Sequence, residues 1–160
     1  MKLTKTEKQM RIAGLLYAVA FIFTGFVEFI LLPDMLIGYI NLLSETLFPT
    51  LPAYPLGENK FWLAMTVSMM VGVTITSLLI FKDVRKFYTM AIPLVAMKFS
   101  SAFLGMGFFT LGMIMPETKW NTLANLVIFT TDVPLAALML YFYMKVSQEQ
   151  KNGLDHRYGH

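Results

Sequence analysis

The chain has 160 residues, of which 56% are hydrophobic and only 14% charged, with a formal net charge of +3. A mean hydropathy of +0.60 excludes an ordinary water-soluble domain, in which about a quarter of the residues are charged. The absence of cysteine excludes disulfide scaffolds, thiolate metal sites, iron–sulfur clusters and dithiol redox chemistry.

Residues 1–11 form a basic segment with Lys2, Lys5, Lys8 and Arg11, and the first apolar run, Ile12–Leu32, follows it. A helix of about 20 apolar residues crosses a hydrocarbon core, so this run is long enough to span a membrane. It is too long for a signal-peptide core, and no small-residue cleavage site follows it. The expectation is a retained helix.

The connection 33–60 is long. Asp34 is placed to N-cap a short helix from Met35 to Phe48 that Pro49 ends. That helix is too short to span, so it is expected in the outer interface or dipping back against the other helices. Pro49, Pro52 and Pro55 then recur every third residue, the polyproline II period, which suits either a stiff spacer or a lid.

Three more runs of spanning length follow at Phe61–Phe81, Tyr88–Met115 and Leu123–Met144. The links Lys82–Lys86 and Pro116–Asn121 are short, which predicts that spans two, three and four are antiparallel neighbours. Residues 146–160 are polar, include His156 and His160, and read as a solvated tail. The predicted architecture is all-α: an antiparallel up-down bundle of four spans within residues 12–145, with a short interfacial helix and a Pro-rich segment in the first outer loop.

Basic residues set the expected orientation. Lys2, Lys5, Lys8, Arg11, Lys82, Arg85, Lys86, Lys145, Lys151 and Arg157 fall on the side of the N-terminus, and only Lys60 and Lys119 fall on the other. The positive-inside rule then puts both termini in the cytoplasm, in a multi-pass protein of a bacterial-type inner membrane. The positive charge is thereby a topology signal and not a nucleic-acid footprint.

Helices in lipid associate through small and polar residues. Stripes of such residues run along span one (Gly14, Ala18, Phe21, Gly25, Glu28), span two (Ala64, Ser68, Gly72, Thr76), span three (Lys98, Ser101, Ala102, Gly105, Gly112) and span four (Asn125, Phe129, Asp132, Ala136). The three charges within spans, Glu28, Lys98 and Asp132, all lie on these stripes. At about 1.5 Å per residue, Lys98 is roughly 15–18 Å from the inner end of its span and Asp132 roughly 14 Å from the outer end of its own. Across a core of about 30 Å those depths coincide, which predicts a Lys98–Asp132 ion pair. Glu28 lies higher, as a second partner or a group that titrates. Thr130, Thr131, Ser100 and Ser101 are candidate hydrogen-bond donors to the cluster. Pro93 and Pro134 are expected to interrupt their helices, Pro134 freeing the Thr130 carbonyl.

Buried ionisable groups in a membrane cost about 2.5–3.5 kcal/mol each on insertion scales, so they either fix helix register or mark a proton, ion or ligand site. No histidine lies in a span or short loop, which removes imidazole ligation of haem and histidine base chemistry. No hydrolase, phosphate-loop or metal-spaced motif is present, so no catalysis, metal or cofactor is expected. The 13 methionines read as adaptable packing. The leading functional expectation is an accessory or assembly subunit that packs against partner membrane proteins, lipid or quinone, as a homo-oligomer or in a larger complex. The alternatives are a small oligomeric transporter of protons, ions or solutes using Glu28, Lys98 and Asp132, and a protein that holds a hydrophobic small molecule between its helices beneath Pro49–Pro55.

Overall fold

The computed structural model describes residues 3–26, 34–54 and 60–158, with the side chains at 60–63 and 153–158 left out. Glu28 and Pro55 lie outside the described residues. Six helices run in the order α1 (Lys5–Ile22), α2 (Met35–Leu47), α3 (Lys60–Lys82), α4 (Val84–Phe87), α5 (Ala91–Ile114) and α6 (Leu123–Tyr158), and no strand occurs among the described residues. Four of them, α1, α3, α5 and α6, are long and apolar enough to cross a membrane. Four such helices are consistent with a multi-pass membrane protein.

Helix α1 starts earlier than its apolar run because Thr4 and Glu7 make a capping box: Thr4 Oγ1 accepts from the Glu7 N–H, and the Glu7 carboxylate accepts from the Thr4 N–H. Past Ile22 the backbone widens into a π-helical turn over residues 23–26. Asp34 stands at the N-cap of α2, but its side chain makes no capping hydrogen bond. Only its carbonyl is engaged, by the Gly38 N–H at 2.8 Å. The Pro-rich segment opens on a turn and not on polyproline II. Residues 49–50 form a turn, closed by the Leu51 N–H to the Phe48 carbonyl at 2.9 Å. Tyr54 is then clasped to α2, its N–H donating to Asn41 Oδ1 and its carbonyl accepting from Asn41 Nδ2.

Pro93 does not interrupt a helix. It is the third residue of α5, where the missing N–H has no intrahelical partner to lose. Asp83 caps α4 through the Arg85 and Lys86 N–H groups, and a 3-10 turn, Tyr88–Met90, leads into α5. Pro134 does lie inside α6. The polar C-terminal residues are helical and not a loose tail, since α6 continues to Tyr158. At residues 149–150 it is tied to the rest of the molecule: Glu149 accepts from the Thr4 and Thr6 hydroxyls, and Gln150 Nε2 donates to the Arg85 carbonyl.

The closest packing is between α1 and α3 and between α5 and α6, with α1 also touching α6. Gly14 lets α1 approach Ser77 and Ile80, and Gly25 sits against Met70. Gly105 and Gly112 do the same for α5 against Asn125, Ile128 and the Trp120–Asn121 backbone. The stripes on α1, α5 and α6 are thus the packing faces. The stripe on α3 is not: Ala64 and Ser68 are exposed, and Gly72 has no neighbouring atoms within 4 Å of where a Cβ would stand. The buried face of α3 is one residue round, at Val73, Ser77 and Ile80. The Ser68 and Thr76 hydroxyls satisfy themselves on the carbonyls of Ala64 and Gly72 in their own helix, so they give no reason to seek a neighbour.

A close-packed apolar core gathers Met10, Tyr17, Val73, Ile80, Leu94 and Met139 at the end of the molecule that carries α4. Bidentate contacts of 2.7 and 2.8 Å from Arg85 to the buried Glu7 close that end, joined by Arg11 Nε on the Phe81 carbonyl at 2.7 Å. Moving away from it along every long helix, the packing opens into a cavity.

Candidate functional site

The cavity has a volume of about 410 Å³ and is walled by α1, α2, α3, α5 and α6. It begins where the core ends, with Val73 belonging to both. Most of its lining is apolar, including Met69, Met70 and Met97, flexible side chains that conform to irregular shapes. Leu36, Ile37 and Ile40 close it from α2. The Pro-rich segment contributes nothing to the wall among the described residues, so α2 itself is the cover.

Lys98 and Asp132 stand on this wall, with Ser101 beside them. Both ionised residues are buried, at 8% and 7% exposure. Lys98 Nζ donates to Asp132 Oδ1 at 2.8 Å. The other oxygen, Oδ2, accepts from the Ser101 hydroxyl. A buried charge pair is tolerated only when such secondary hydrogen bonds satisfy its remaining valences. On its other side the ammonium lies 4.1 Å from the centre of the Phe21 ring, a cation–π contact of the kind that strengthens away from water. The Tyr17 hydroxyl is buried without a hydrogen-bond partner among the described residues, within electrostatic reach of Asp132.

The structure therefore brings together three of the seven residues singled out from the sequence, Lys98, Asp132 and Ser101, while Ser100 is exposed. Glu28 lies outside the described residues. Thr130 is not in the cluster. It is exposed, and its hydroxyl donates to the Leu126 carbonyl at 2.9 Å. Two residues from Asp132 is about 200° round a helix, which puts the two side chains on opposite faces. The carbonyl that Pro134 deprives of a donor shares this outward side, since Thr130 and Pro134 are both exposed. Thr131 lines the cavity but gives its hydroxyl to the Val127 carbonyl at 2.7 Å.

Sequence reasoning offered an apolar site between the helices as one alternative but missed its lining, with Thr24, Thr66 and the α2 contacts. The roles of Phe21 and Tyr17 were missed too, although Phe21 was already on the α1 packing stripe. The Thr4–Glu7 capping box was a legible signal, Thr-x-x-Glu before an apolar run. The Glu7–Arg85 pair was not, because 78 residues separate the two.

Compared with protein-family models, with curated proteins and with solved structures, the chain matches none.

Proposed function

We propose that this protein is a non-catalytic, multi-pass protein of a bacterial-type inner membrane that binds a lipophilic small molecule in the cavity between its helices. One observation carries the reading: an apolar space of about 410 Å³ with a buried Lys98–Asp132 pair on its wall. Ligand sites are characteristically apolar hollows with a few convergent polar groups, and an intramembrane charge is by default a functional group. The π-helical turn beside the cavity-lining Phe21 and Thr24 adds to this, because such turns recur at functional sites.

The spans run up and down in antiparallel order with both termini cytoplasmic. Supporting this, Glu7–Arg85, Arg11–Phe81 and Gln150–Arg85 gather the basic segments at one end. Tyr88 stacks on Tyr143 at 5.9 Å towards that end, and Trp120 packs on Phe108 towards the other, as aromatic belts do.

Purification from native membranes in mild detergent tests the reading. Organic extraction and mass spectrometry should find about one apolar small molecule per chain, beyond bulk lipid. Its absence, with no saturable binding of added lipophiles, would contradict the proposal. The outward stripe Ala64, Ser68, Gly72 and Thr76 on α3 favours a second reading, an accessory subunit docked on another membrane helix. There the same purification should retain a stoichiometric protein partner, which Gly72→Leu releases. Retention by the variant, or no partner at all, would count against it.

A further inference from the structure

We infer that the ligand carries a neutral, hydrogen-bond-accepting head, a carbonyl of an ester, ketone or quinone, and not a free carboxylate. The inference rests on the cavity being a lipophile site and concerns what that site selects. Lys98 and Asp132 are the ionisable groups among the described residues of its lining, and their charges cancel across 2.8 Å. No net positive charge is left to neutralise an anion. A carboxylate entering beside them would remain an uncompensated charge in an apolar space, the arrangement that buried sites tolerate least. Glu28 lies outside the described residues.

The same groups leave one kind of bond open. An ammonium has three N–H donors, and among the described residues Lys98 uses one in a hydrogen bond, to Asp132. Its polar neighbours do not take up the rest: Ser101 donates to Asp132 and Thr131 to α6, and among the described residues neither hydroxyl accepts from the ammonium. A neutral carbonyl oxygen takes up this spare donor capacity without breaking the ion pair. Its apolar remainder then covers the methionines and the α2 residues.

The experiment uses the full-length protein in nanodiscs of zwitterionic lipid and three probes with the same tail: methyl laurate, laurate at alkaline pH where it is ionised, and tridecane. Methyl laurate should bind at least about tenfold more tightly than laurate, and more tightly than tridecane. Its ester carbonyl stretch, read by isotope-edited infrared spectroscopy, should move to lower frequency on binding. In the double variant Lys98→Met, Asp132→Leu the advantage over tridecane should vanish while tail binding survives. Laurate binding as tightly as its ester, or an unshifted carbonyl stretch in the unaltered protein, would overturn the head-group inference and leave the lipophile reading standing. Failure of all three probes to bind would overturn both.

Discussion

Lys98→Met should destabilise the folded protein by about 3–5 kcal/mol, Asp132→Leu should do the same, and the two together should cost far less than either. Each single change strands a charge that the native structure pairs at 2.8 Å, in residues less than a tenth exposed. Among the described residues, Lys98→Met leaves the carboxylate with the Ser101 hydroxyl alone. Among the same residues, Asp132→Leu leaves the ammonium with the Phe21 face alone. The double change removes both charges and substitutes apolar side chains of similar bulk, an exchange that is often neutral or stabilising in buried pairs. Reversible unfolding of the three variants in one detergent measures this. Additive losses in the double variant, or no loss in either single one, would contradict a buried pair.

The second large effect is expected at Gly112. A Cβ there would collide with the Asn121 nitrogen and stand 2.7 Å from the Trp120 carbonyl carbon. Both are backbone atoms of a turn that is already constrained. Lys119 holds a left-handed conformation with φ 53°, and Asn125 Nδ2 binds the Trp120 carbonyl at 2.7 Å. Neither side can yield by rotating a side chain, so Gly112→Ala should push α5 away from the start of α6 and cost about 3 kcal/mol. Gly107→Ala is the control. No atom stands within 4 Å of its Cβ position, so the change should be neutral, or stabilise by up to about 1 kcal/mol through helix propensity. Equal unfolding of the two variants would show that α5 and α6 are not in this register.

The spans and the central ion pair were legible in the sequence for one physical reason. Charges are expensive in lipid, so the few that remain within spans must face packing partners at their own depth. Counting residues from the span ends was enough to match Lys98 with Asp132. The same reasoning failed on α3, where small residues four apart marked a face that the protein leaves outward. Small size permits close approach but does not require it, and Gly14 of α1 meets Ser77 instead of the Gly72 row. Thr130 was misplaced because nearness in sequence was taken as nearness in space, against the 100° turn per residue of a helix. Pro93 was read as a break because its helix was started at Tyr88, three residues before Ala91, where α5 begins. The cavity's position and lining were not legible, although an apolar site between the helices was among the alternatives. The cavity arises from how five helices diverge beyond the core, a property of packing that composition and periodicity along single helices do not carry.

Blocking the cavity shows whether it holds a lipophile. Val127 and Ile37 line it from α6 and α2, and Val127→Trp or Ile37→Trp should fill the space from two different helices. The quantity to measure is the amount of apolar small molecule bound per chain in each purified variant and in the unaltered protein, with helicity and unfolding recorded alongside. About one molecule per chain is expected in the unaltered protein and almost none in either folded variant. Equal amounts in all three, or none in the unaltered protein, would contradict it.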